Sequence, residues 1–218
     1  MAGICFCISN LVYAQNNTTK IFETSLAQFR VVLDPGHGGK DSVTRAEGFY
    51  EKNIVLAIAK EIKKALIENG FEVSMTRQED VFIPLSERSA MAGDAFISLH
   101  VNSVADSIGP SVRSMIKGME IYTENDMANS GLVKRSQQLA ICFKQQLSNL
   151  NGINVRPGKQ KSLAVLNKSV SPSILLELGF LSNKEDLSYL TTSENYKYIA
   201  TAFVNALKVY RRNINSKH

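Results

Sequence analysis

Apolar positions along this chain fall into two alternating periods. Short β-branched or apolar runs at 30–34, 71–76, 94–100, 119–123 and 173–178 have the length and composition of strands. Between them the spacing lengthens. Ile54, Ile58, Ile62 and Leu66 recur every fourth residue, and Val55, Ala59 and Ala65 widen the stripe. This predicts a helix that begins near Asn53 and stops at Gly70. Leu132, Ser136, Leu139, Phe143, Leu147 and Leu150 share a face of a second helix, ending before Asn151 and Gly152. Tyr196, Ile199, Phe203, Leu207 and Tyr210 mark a third, for which Thr191 and Glu194 predict a T-x-x-E capping box. A shorter helix is expected over 85–92, after Pro84.

Strands and helices alternate from Arg30 to Tyr210 without a linker rich in Pro, Gly or Ser, and without an internal repeat. The expected fold is therefore α/β: a single domain with a twisted, largely parallel or mixed sheet covered by helices on both faces.

Composition narrows the class. Of 218 residues, 44% are hydrophobic and 21% charged, near the averages of globular domains and unlike collagen, coiled coil or disorder. A chain of this length buries a sizeable core without disulfide staples. The net charge of +5 fits an anionic partner such as cell-wall polymer, nucleic acid or a lipid surface without choosing among them. No basic run reaches five residues and no aromatic RNP-like segment occurs, so no nucleic-acid partner is expected.

The first 19 residues carry no charged side chain, and the apolar stretch from Gly3 to Ala14 is too short to span a bilayer. With Val12-Tyr13-Ala14 placed like a cleavage site, residues 1–19 read as a signal peptide and leader, although no basic residue precedes the apolar part. The chain is thus expected to be exported, to the periplasm or the cell envelope and its exterior, and no transmembrane segment is expected in the remainder. Cys5 and Cys7 fall within the leader, which leaves Cys142 on the apolar face of a predicted helix as a buried, inert thiol. No C-x-x-C pair supports a zinc ribbon or a disulfide framework.

Histidine is scarce. Three are present and His218 is the last residue, so a histidine-built site uses His37, His100 or both, and three-histidine zinc sites are excluded. His37 lies in Asp34-Pro35-Gly36-His37-Gly38-Gly39, where a buried strand runs into a glycine-rich turn. Lone turn histidines are commonly satisfied by their own backbone. Here flanking glycines remove competing bulk and leave the imidazole accessible. His100 ends the run Ala95-Phe96-Ile97-Ser98-Leu99-His100 at another strand terminus, and strand C-termini in open α/β sheets are where sites form.

Two acids complete the candidates. Glu51 precedes a predicted helix, where an acid is ordinarily just a favourable first-turn charge. Glu177 sits inside Ser173-Ile174-Leu175-Leu176-Glu177-Leu178-Gly179-Phe180, where an ionised carboxylate costs several kcal/mol unless paired or beside a metal. Two histidines, one ligating carboxylate and a further glutamate form a coherent set. A His₂Glu shell with an open fourth position is a catalytic zinc arrangement, and a nearby glutamate can serve it as base. No HExxH helix is present, so the ligands must converge from separate loops.

These residues also carry a family resemblance. The Asp34–Gly39 turn, Glu51-Lys52-Asn53, Ser98-Leu99-His100-Val101-Asn102-Ser103 and Leu176-Glu177-Leu178-Gly179-Phe180-Leu181-Ser182-Asn183 together resemble the catalytic domain of zinc-dependent N-acetylmuramoyl-L-alanine amidases of the amidase-3 family. The resemblance covers about residues 29–212 and includes Thr76-Arg77 and the stretch from Leu85 to Arg88. It implies one Zn²⁺ per chain on His37, Glu51 and His100, with Glu177 as the catalytic glutamate and peptidoglycan as the substrate. The bond cut would join the N-acetylmuramic acid lactyl group to L-Ala of the stem peptide. Arg77 and Asn102 are expected substrate contacts.

Two features depart from the family pattern. Lys40 to Glu47 lacks the expected glycine-containing stretch, which makes Glu47 a reserve ligand. Thr123 to Gly131 leaves no room for the long autoinhibitory helix of some members. No separate wall-binding module remains outside the domain, and the sequence identifies no protein activator. Other classes fare worse: no G-x-S-x-G elbow supports a serine hydrolase, and Gly152 to Lys159 misses the P-loop spacing. A non-catalytic wall-binding domain would be favoured by loss of a ligand or of the glutamate, and all four are present.

Overall fold

A computed structural model describes residues 28–41, 45–105, 107–124 and 130–216. The expected leader over 1–19, Cys5, Cys7, His218 and residues 125–129 of the 123–131 connection lie outside the described residues.

In chain order the elements are β1 (Arg30–Pro35), a short hairpin of β2 (Arg45–Ala46) and β3 (Phe49–Tyr50), α1 (Glu51–Glu68), β4 (Glu72–Met75), α2 (Leu85–Ala90), β5 (Ala95–Asn102), α3 (Pro110–Met115) and β6 (Glu120–Thr123). There follow α4 (Ser130–Leu147), β7 (Lys159–Gln160), α5 (Ala164–Asn167), β8 (Ser173–Phe180), α6 (Lys184–Thr191), a 3₁₀ turn (Ser193–Asn195) and α7 (Tyr196–Asn215). Six strands form one sheet in the order β4-β1-β5-β8-β6-β7. The pairs β4–β1, β1–β5 and β5–β8 are parallel, β6 is antiparallel to β8, and β7 runs parallel to β6. The sheet is mixed, as the patterning anticipates.

Successive side chains in a strand point to opposite faces. Val31, Leu33, Ile97, Leu99, Ile174 and Leu176 enter the larger core beneath α1, α4 and α7. Val32, Phe96, Tyr122 and Leu175 enter a smaller core on the other face, closed by α5 with α2 packed on it. The same alternation carries Asp34, Ser98, His100, Glu177 and Glu120 onto the thinly covered side, toward the C-terminal ends of β1, β5 and β8. The short covering helices leave that end open. Cys142 is buried and free, with burial raising its thiol pKa.

Asp34 is the first polar residue on that side. It is fully buried and accepts from Thr76 Oγ1 at 2.6 Å, Ser98 Oγ at 2.7 Å and Arg88 Nη1 at 2.9 Å. Arg88 is equally buried, and its remaining donors go to the carbonyls of Ile83, Pro35 and His37. Breaking such a pair strands a charge in low dielectric. Arg88→Met should therefore cost about 3–5 kcal/mol of stability, read as a lower denaturant midpoint at unchanged slope.

Several boundaries differ from the sequence expectation. The first helix starts at Glu51, two residues early, because the β2–β3 hairpin delivers the chain directly into it. The T-x-x-E capping box does not form. Thr191 is the last residue of α6, where its hydroxyl donates to Leu187 O, and the 3₁₀ turn separates it from α7. Helix α6 itself was not anticipated. Its N-cap Asn183 accepts from the N–H groups of Glu185 and Asp186, an ordinary helix start that the apolar pattern obscured.

Candidate metal centre and active site

β1 ends at Pro35, and the Gly36 N–H still donates to Leu99 O, extending the β1–β5 ladder by one rung. The chain then turns sharply. His37 (φ 57°), Gly38 (φ 124°) and Gly39 (φ 56°) all have positive φ, and reciprocal bonds between Gly38 and Asp41 close the turn. A non-glycine residue in this region stores strain of about 1–3 kcal/mol. The turn is held by side chains from elsewhere: Arg88 binds His37 O, Arg77 binds Pro35 O and Gly36 O, and Asp80 accepts from Gly39 N. Lys52 joins Gly39 O to Asp80.

Arg77 is thus committed to structure. Its guanidinium is buried and donates to the carbonyls of Pro35, Gly36, Lys52 and Glu79, which leaves it facing the turn and not an open surface. Where the sequence reading expects a substrate contact at Arg77, the structure shows its guanidinium bracing the turn. Burial also lowers its pKa below the usual arginine value.

Glu51, the first residue of α1, is 3% exposed, and one oxygen serves three partners. Oε1 lies 3.2 Å from His37 Nε2 and 3.0 Å from His100 Nδ1, and accepts from Val101 N at 3.0 Å. The two imidazoles stand edge to face, 5.0 Å between centroids. Burial disfavours the Glu51 charge, but the hydrogen bonds to His100 and His37 outweigh it and hold the carboxyl down at about 2. His37 is pushed up to about 9, chiefly by its bond to Glu51. For His100, burial opposes charging and the Glu51 bond overcomes it, so its pKa is also raised.

His37, Glu51 and His100 each offer a ligand atom within 4.8 Å of the others. Behind His37, Asp41 Oδ1 stands 3.0 Å from Nδ1, a carboxylate close enough to bias the orientation of the ring. Glu47 is exposed in the β2–β3 turn and lies outside the cluster, so Glu51 takes the position for which Glu47 was held in reserve.

Glu177 pairs with His100 across β5–β8 and with Glu120 across β8–β6. His100, Glu177 and Glu120 therefore form one row across three strands, β5, β8 and β6. Glu177 Oε2 is shut off from solvent and has no hydrogen-bond partner among the described residues. Burial pushes this carboxyl up to about 7. Asn102, at the end of β5, donates through Nδ2 to Glu120 Oε2 at 3.3 Å and accepts from Ser103 N. Sequence reasoning missed Glu120, although it sits in the apolar run from Met119 to Thr123, where the argument applied to Glu177 holds equally.

Fold and donors together define a class: an α/β domain that gathers a His–Glu–His cluster, able to hold a divalent cation, beside a half-buried carboxylate. Comparison with known proteins then names the family. A family model described as N-acetylmuramoyl-L-alanine amidase (amidase-3) matches residues 31–209, and the chain belongs to that family. It is 37% identical over 183 residues to a protein of Staphylococcus epidermidis named probable cell wall amidase LytH, covering 83% of this chain and 57% of that one. The chain thus spans little more than half the length of that relative. It is 34% identical over 184 residues to the Bacillus subtilis protein YqiI, described as uncharacterized, covering 83% and 84% of the two chains. Among solved structures, the N-acetylmuramoyl-L-alanine amidase AmiC2 of Nostoc punctiforme matches with a TM-score of 0.73 at 32% identity, over 84% of this chain and 97% of that one. An N-acetylmuramoyl-L-alanine amidase of Clostridium difficile matches at 0.75 and 25% identity, over 85% and 97%.

Proposed function

We propose that the protein is a zinc-dependent N-acetylmuramoyl-L-alanine amidase that hydrolyses peptidoglycan at the amide between the muramic acid lactyl group and L-Ala. Family membership supports the reaction class. The observation that carries the mechanism is the unpartnered Glu177 oxygen in register with His100, beside three converging donors.

The donors suit zinc. Two imidazoles and one carboxylate match a catalytic shell, and they converge on a single oxygen. His37, Glu51 and His100 would hold the ion, and when bound it supplies Lewis acidity to the scissile carbonyl and to water. Glu51 is kept ionised by its histidine partners, while Asp41 orients His37. The Glu177 carboxylate accepts the proton of the attacking water and returns it to the leaving amine. Burial raises this carboxyl above the ordinary glutamate value, which suits it to both steps. Asn102 lines the approach to Glu177 and is assigned a substrate contact.

The uncharged segment 1–19 supports export and action at the cell envelope. No helix among the described residues is long and apolar enough to cross a membrane. Mass spectrometry of peptidoglycan digested by the purified protein tests the reading. Stem peptides with free L-Ala amino termini are expected; new reducing sugar ends would overturn it.

Metal binding should also be proton-linked. His37 is charged below about 9 in the metal-free state and must lose that proton to ligate, so binding strengthens as pH rises toward 9. Between pH 6 and 8 the apparent zinc affinity should rise by about 100-fold or more, one decade per pH unit for each proton released. Competition titrations, with calorimetry in buffers of different ionisation enthalpy, measure this. A pH-independent affinity would contradict it.

A further inference from the structure

The row across the sheet does not end at Glu177. Glu120, the next member, is 2% exposed, and both of its oxygens are occupied. Oε2 accepts from Tyr122 Oη at 2.6 Å and from Asn102. Oε1 meets two cations, Lys159 Nζ at 2.7 Å and Arg156 Nε at 3.2 Å. One buried carboxylate needs one counter-ion; here it has two, which leaves a formal positive charge at the surface. Neither cation is enclosed: the Arg156 side chain is 36% exposed and that of Lys159 is 48% exposed.

Aromatic rings steady both heads. The Arg156 guanidinium lies 5.6 Å from the Phe180 ring centroid, and Lys159 Nζ lies 5.7 Å from that of Tyr122. Lys161 reaches the same Tyr122 ring at 5.9 Å. The terminal nitrogens of Arg156 carry no hydrogen bond to the described residues, so its fork is free to bind. A guanidinium fork beside an ammonium, both half-desolvated and fixed from beneath, is suited to a carboxylate.

Position makes the ligand specific. Adjacent strands lie about 4.8 Å apart, so Glu120 stands about 10 Å from the His100 position along the row. An extended peptide advances about 3.5 Å per residue. A peptide whose scissile amide lies at the metal donors, and which runs across β8 toward β6, therefore brings its second or third residue to these cations.

We propose that Arg156 and Lys159, fixed by buried Glu120, form a carboxylate subsite for an acidic residue of the stem peptide, two to three residues beyond the scissile amide. This rests on the amidase reading above. It assigns Glu120 as a positioning residue, and it makes the charge of the stem peptide a determinant of substrate choice.

The test uses two muramoyl peptides that differ only in whether the second stem residue ends in a carboxylate or a carboxamide. The full-length wild-type protein should prefer the carboxylate by about tenfold or more in kcat/KM. Lys159→Met with Arg156→Leu should bring that ratio close to one, chiefly through KM, and Lys159→Arg should preserve it. Because both substrates meet the same preparation, the ratio does not depend on the fraction folded. Equal cleavage of the pair by the wild type, or a preference that survives the double substitution, would overturn the subsite while leaving the amidase reading intact. Failure to cleave either compound or intact peptidoglycan would overturn both.

Discussion

Glu177→Gln should reduce kcat by about 10²–10⁴ while leaving zinc affinity within a few-fold of the wild type. The substitution keeps size and polarity but removes the carboxylate to which the mechanism assigns the proton. Oε2 is buried and has no hydrogen-bond partner among the described residues, so no structural bond is lost there. The His37–Glu51–His100 cluster does not include Glu177, and its donors should be undisturbed. The pH profile adds a second readout. A base works in its deprotonated form, so activity falls as pH drops through the Glu177 pKa. Burial, the largest cause, together with the surrounding charges puts that value at about 7 without a metal, and a nearby dication draws it back toward the ordinary glutamate value of 4.5. The acidic limb of kcat/KM should lie between these values and disappear from the residual activity of the variant. A variant that keeps the wild-type rate would remove Glu177 from the mechanism.

Gly36→Ala should be nearly as damaging by a different route. A Cβ at Gly36 would stand 2.3 Å from His100 Cε1 and 2.6 Å from both ring nitrogens. Gly36 is not among the positive-φ residues, so alanine is acceptable to the backbone and only the imidazole is displaced. Swinging that ring away costs its contact with Glu51 and removes one of three metal donors. Zinc affinity should fall by at least about 100-fold and activity with it, and because buried Glu51 loses a partner the metal-free protein should also melt at a lower temperature. Chelator competition and thermal melts measure the two effects. An unchanged affinity would show that the ring has another place to go.

Gly36 also shows where sequence reasoning reaches its limit. The glycines around His37 were read as granting conformational freedom, and Gly38 and Gly39 do use it. Gly36 is needed for space, and the atom that would fill that space belongs to a histidine on another strand. Strikingly unusual φ falls instead on His37 itself, a strain that no local pattern announces. Arg77 was equally unreadable: its charge next to a motif resembles a substrate contact until its four carbonyl partners are seen. Glu120 could have been read. A carboxylate in an apolar strand needs a partner wherever it occurs, and the rule that singled out Glu177 applies to it unchanged.

The sequence by itself determined the alternation of strand and helix, the scarcity of histidine and the presence of a charge within an apolar strand. These follow from local periodicity and residue chemistry. Tertiary structure alone decided that Glu51 bridges the two histidines, that two buried arginines clamp the turn, and that Glu120 gathers a cationic pair beside Glu177. The physical reason is one of range. Periodicity records which face a residue takes along its own strand, whereas the order β4-β1-β5-β8-β6-β7 and its register set which residues meet across strands.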